Sequence, residues 1–152
     1  MKKLILILTV LIGGLAYGQT NDKPIYDSIL AKKLGADERG MKKYVFCILK
    51  TGPANITDKA KKDSLFAGHM SNIGRMADEG KLAIAGPFMK NDRQYRGIYI
   101  FNVSTIEEAE KLTQSDPAIK AGVFVVELTE WYGSAALMAT PELHKKIQKK
   151  GF

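Results

Sequence analysis

A single cysteine, Cys47, excludes an intramolecular disulfide, even in an oxidising compartment. It sits in Tyr44-Val45-Phe46-Cys47-Ile48-Leu49, an apolar, β-rich run with no nearby group to stabilise a thiolate. An inert interior thiol is the expectation there. Histidine is almost as scarce. His69 and His144 are the only two, and no carboxylate lies three or four residues from His69. Metal-ligand spacing is therefore missing, so no metal site is expected. Internal repeats and low-complexity stretches are absent too.

Long apolar runs are confined to the N-terminus. Leu4 to Ala16 is too short for a comfortable membrane span and contains Gly13-Gly14. It follows Met1-Lys2-Lys3 and precedes the small-residue pattern Ala16-Tyr17-Gly18, which together make the three parts of a secretory signal peptide. Residues 1–18 are read as that signal, with cleavage after Gly18 and export to the periplasm or the exterior. No cysteine follows to carry a lipid, so no stable membrane anchor is expected after cleavage. N-terminal sequencing of the exported protein distinguishes this from a retained anchor.

What remains suits one domain with one core. The net formal charge of +7 is partly the signal's two lysines and partly His144-Lys145-Lys146-Ile147-Gln148-Lys149-Lys150 at the other end. Without interleaved aromatics this basic stretch reads as a solvated tail helix, and no nucleic-acid partner is expected.

Between these ends the chain divides into a helical extension (19–42), a core (43–132) and the tail (133–152). In the extension, Asp27 to Leu34 reads as a short helix ended by Gly35. The core strand around Tyr44–Leu49 follows, then a loop at Thr51-Gly52-Pro53-Ala54-Asn55. Thr57 or Asp58 can cap the long helix that Gly80 ends. Lys81–Gly86 is a second strand, Arg96–Val103 a third. Ser104 or Thr105 opens a second helix that turns Ile106, Ala109 and Leu112 inward and stops near Ser115-Asp116-Pro117. After a turn, Val123–Trp131 is the fourth strand. The order βαββαβ predicts an α+β, ferredoxin-like split βαβ fold, with both helices on one face of an antiparallel sheet. The other face needs covering by a second subunit, by the tail, or by both.

The long helix places its histidine inward. At about 100° per residue, Leu65, Phe66, His69, Met70, Ile73, Met76 and Ala77 form one apolar stripe. Asp78 falls on the opposite side with Glu79, at the solvated end, and Arg75 also points outward. A histidine on such a face is commonly a satisfied core residue. A catalytic reading requires a partner. Asp116, at the end of the second helix, can approach the neighbouring helix in this topology, although Asp-Pro is also a common turn initiator.

His69, Asp78-Glu79-Gly80, Ala85-Gly86-Pro87, Asp116-Pro117 and Ala121-Gly122-Val123, in that order and spacing, resemble the YciI-like (YCII-related) family over about Lys43 to Tyr132. The resemblance implies a dimeric α+β barrel. It also implies kinship with muconolactone isomerases and with a dehydrochlorinase of chlorinated hydroxyhydroquinones, and a histidine–aspartate centre at His69 and Asp116. The chain departs from cytoplasmic members by its signal, the segment Asn21–Gly40 and the tail.

Such a pair would act as a general base and acid on a small molecule, without a cofactor. Tyr44, Tyr95, Tyr99 and Trp131 are candidate walls for an aromatic or small apolar ligand, and Arg75 and Arg96 candidate carboxylate holders. A non-catalytic module binding a metabolite or protein in the same cavity is the alternative. Haem is a third possibility, implied by relatives of the barrel that ligate iron through a helical histidine; the visible spectrum of the purified protein distinguishes it.

Overall fold

A computed structural model describes residues 25–150; the signal-peptide reading lies outside these residues. The elements run α1 (Ser28–Leu34), β1 (Met41–Thr51), α2 (Lys59–Asp78), β2 (Leu82–Pro87), β3 (Tyr95–Phe101), α3 (Ile106–Thr113), α4 (Pro117–Lys120), β4 (Phe124–Ser134), a 3₁₀ turn (Ala135–Ala139) and α5 (Thr140–Ile147). Sheet order is β2-β3-β1-β4, with every neighbouring pair antiparallel. This is the ferredoxin-like α+β arrangement predicted from the element order.

Local chemistry sets the boundaries. Asp27, Asp58 and Thr105 accept backbone N–H groups at the starts of α1, α2 and α3, satisfying donors that a helix start leaves unpaired. Of the two candidates at each of the later caps, Asp58 and Thr105 are the ones used. Gly35 and Gly80 take the left-handed conformation that ends α1 and α2. The short segment after Pro117, read from sequence as a turn, forms one helical turn with Asp116 as its cap.

Strand alternation splits the side chains between two faces. Val45, Cys47 and Leu49 of β1 join Tyr99, Phe101 and Phe124 beneath α2 and α3, where Met76 and Ala109 close the main core. Burial raises the Cys47 thiol to about 12, so it remains protonated, as its sequence context indicates. On the other face Tyr44, Ala83 and Ile100 form a smaller cluster against Leu137 and Met138 of the 3₁₀ turn. The Tyr44 hydroxyl donates to the Ser134 carbonyl at 3.0 Å. The tail thus covers one end of the second face. Phe46, Ile48, Ile84 and Ile98 remain half-buried, and Val125 and Trp131 are exposed.

Two backbones cross where β1 ends. Gly52 N–H donates to the Val123 carbonyl at 2.8 Å and Ala54 N–H to the Gly122 carbonyl at 3.0 Å. A Cβ on Gly52 would lie 2.1 Å from the Gly122 oxygen, so only glycine fits there.

Candidate functional site

His69 lies halfway along α2, 8% exposed, and Asp116 is completely buried. Their approach depends on a missing side chain. Gly68 faces Pro117 so closely that a Cβ would stand 2.6 Å from the proline ring. With glycine there, α2 and α4 close up, and His69 Nδ1 meets Asp116 Oδ2 at 2.6 Å.

The carboxylate has two jobs. Its Oδ1 accepts the Ala118 and Ile119 N–H groups at 2.8 and 3.3 Å as the cap of α4, while Oδ2 faces the imidazole. Burial pushes its pKa up. The hydrogen bond to His69, the attraction of that ring when it is protonated and the two backbone N–H groups together outweigh burial and hold the group below the usual carboxylate range. An ionised carboxylate at Nδ1 places the proton of a neutral ring there, leaving the Nε2 lone pair free to accept.

The Tyr99 hydroxyl approaches Nε2 at 3.4 Å, longer than a strong hydrogen bond. Burial raises the Tyr99 phenol, and the negative charge of Asp116 adds to the rise, so the hydroxyl keeps its proton and is the donor. Phe124 and Phe66 complete the surroundings, their ring centroids 5.1 and 6.4 Å from that of the imidazole.

Of the four aromatics named as walls, Tyr99 alone reaches the histidine. Tyr44 and Trp131 pack on each other at 5.8 Å around the opposite sheet face, and Tyr95 packs on Phe88 at 5.7 Å. Asp78 faces Lys145 of the tail at 3.6 Å, away from the imidazole, and Glu79 pairs with Arg75 at 2.8 Å.

Arg75 differs from its outward reading in one respect. It also donates to Asn72 Oδ1 at 2.8 Å and Ser115 Oγ at 3.0 Å, tying α2 to the residue before Asp116. Asn72, buried on the His69 face, was not singled out from sequence, although positions 65, 69, 72 and 76 repeat at helical spacing. Met70 departs from the stripe and is 39% exposed.

Beside the pair opens a cleft of about 230 Å³ between the start of α2 and the ends of β1 and β4. Thr51, Asn55, Lys62, Phe66, Arg96 and Phe124 are among its walls. Neither His69 nor Asp116 lines it; the two phenylalanines separate cleft and imidazole. Among the described residues no three histidine, cysteine, aspartate or glutamate side chains gather as a metal site would require.

The YCII-related domain matches residues 43–132. The chain belongs to the YCII-related family. Among curated relatives, the protein YjpA of Bacillus subtilis (strain 168), itself described as uncharacterised, is 28% identical over 75 residues, which are 49% of this chain and 84% of YjpA. A solved structure of 5-chloro-2-hydroxyhydroquinone dehydrochlorinase (TftG) from Burkholderia phenoliruptrix AC1100, in complex with 2,5-dihydroxybenzoquinone, is similar at 18% identity and a TM-score of 0.40. The likeness covers 57% of this chain and 92% of TftG. Within the family match lie both members of the pair, the Tyr99 donor and the whole cleft wall.

Proposed function

We propose that this YCII-related protein is a cofactor-independent enzyme in which His69 and Asp116 transfer a proton on a small aromatic or lactone-type molecule, as an isomerase or a dehydrochlorinase-like lyase. The observation that carries the reading is the buried 2.6 Å contact between His69 Nδ1 and an Asp116 carboxylate locked by two backbone N–H groups. Asp116 fixes the tautomer and stabilises the imidazolium. Nε2 removes a proton from the substrate, then returns it to another atom in isomerisation or keeps it while a leaving group departs in elimination.

The test offers the full chain a muconolactone and a chlorinated hydroxyhydroquinone. Solvent-deuterium incorporation and chloride release are followed. Turnover is expected, falling about 10²- to 10⁴-fold in His69→Gln. Full turnover in that variant would end the assignment.

A second reading has one observation in its favour: the cleft excludes both members of the pair. On that reading the protein binds a metabolite or another protein without turnover, and binding survives Asp116→Asn unchanged. We further propose that residues 1–18 direct export and are removed, so that the domain works as a homodimer outside the cytoplasm.

A further inference from the structure

We propose that the cleft beside His69 is a binding site for a single-ring molecule carrying a carboxylate or phenolate, with the anion held by Lys62 and Arg96 and the ring against Phe66 and Phe124. Three observations converge on this class of ligand.

The first is charge. Lys62 comes from the first turn of α2 and Arg96 from β3, far apart in sequence, yet both line the same small cleft. No carboxylate lines it with them, and neither cation forms an ion pair among the described residues. Two converging cations with no acidic neighbour favour an anionic guest, and a planar guanidinium suits a carboxylate through paired N–H donors.

The second is the apolar wall. Phe66 and Phe124 meet edge to face at 5.8 Å, and Val123 and Ile56 extend the same surface. A ring placed there exchanges water for aromatic contact, while Asn55 and Thr51 offer polar groups at the rim. The third is size. About 230 Å³ accommodates one ring with small substituents, since a cavity of roughly 150 Å³ is enough for benzene.

Phe124 touches both the ligand's space and the imidazole, with centroids 5.1 Å apart in the second contact. A molecule held by its anion at Lys62 and Arg96 would therefore lie against the same phenylalanine rings that pack on His69. As a statement of substrate class this rests on the proposed chemistry at His69. As a binding site it does not, and the two can fail separately.

The experiment titrates benzoate and 4-hydroxybenzoate into the full chain by isothermal calorimetry, with neutral benzamide and 4-hydroxybenzamide as matched controls. Saturable binding of the acids is expected, at least tenfold tighter than that of the amides. Loss of either cation, in Lys62→Gln or Arg96→Gln, is expected to weaken the acids about tenfold and leave the amides unchanged. Both positions are solvent-exposed, and unchanged melting temperatures will show that the variants fold. His69→Gln is expected to retain acid binding. Equal affinity for acids and amides, an unchanged affinity in both charge variants, or no saturable binding of either acid would each overturn the proposal. Retained binding without turnover would overturn the chemistry and leave the site standing.

Discussion

Asp116 combines a structural and a chemical task, and substitution can separate them. Asparagine caps a helix nearly as well as aspartate, so Asp116→Asn keeps the hold on Ala118 and Ile119. Its amide, however, donates where the carboxylate accepted. The imidazole must then turn its lone pair to Nδ1 and its proton to Nε2, which is the wrong tautomer for a base. The variant is expected to fold, to lose about 1–2 kcal/mol at neutral pH, and to lose turnover as severely as His69→Gln. The same residue sets a pH dependence. Because its folded pKa is lowered, its contribution is complete above the ordinary carboxylate value of about 3.9 and fades as pH falls through the lower folded value. Urea midpoints should therefore separate wild type from Asp116→Asn at neutral pH and converge in acid. A gap that stays constant down to about pH 2 would mean the charge adds nothing to stability. His69 was legible from helical phase, and Asp116 from the family resemblance together with the topology. Tyr99 was legible only as one of four aromatics, because strand alternation assigns a face but not a neighbour.

Helix α2 carries two interior glycines in opposite situations. Gly74 is exposed and a Cβ there meets nothing within 4 Å. Gly74→Ala should stabilise by about 0.5–1 kcal/mol, the ordinary gain of alanine over glycine in a helix. Gly68→Ala gains the same propensity, but its Cβ would sit 2.6 Å from Pro117 Cγ, on a ring pinned between Asp116 and a helical turn. Overpacking of that kind costs about 1–3 kcal/mol, so the clash wins and the sign reverses. Thermal melts of the two variants check this pair, and equal shifts in the same direction would refute it. At this scale most of the architecture was readable. Caps at Asp27, Asp58 and Thr105 and stops at Gly35 and Gly80 are decided by neighbouring residues. Strand ends were less so: β1 and β4 run on to Met41 and Ser134 because Met41 and Ser134 pair with each other, a long-range choice that local sequence does not contain.

The whole molecule leaves one sheet face incompletely covered. The 3₁₀ turn after β4 shields Tyr44, Ala83 and Ile100, while Phe46, Ile48 and Ile98 keep part of their surface in water. A second copy on that face is the expected remedy. Sedimentation equilibrium should give twice the chain mass, and Ile48→Arg, facing Glu127 across the strands, should give a soluble monomer. A monomeric wild-type protein would rule this out. That the face needed a cover was evident from the βαββαβ order. The tail was one of the covers expected there, and Leu137 and Met138, which precede its basic residues, take that place against Tyr44, Ala83 and Ile100.

The crossing at Gly52 has a mechanical meaning. It staples the loop that supplies Asn55 and Ile56 to the cleft onto the turn between α4 and β4, and that turn descends directly from Asp116. The rim of the cleft and the short helix that Asp116 caps are thus tied together by backbone hydrogen bonds. Side-chain volume added at Gly52, where a Cβ would stand 2.1 Å from the Gly122 oxygen, would part the rim of the cleft from the segment that begins at Asp116.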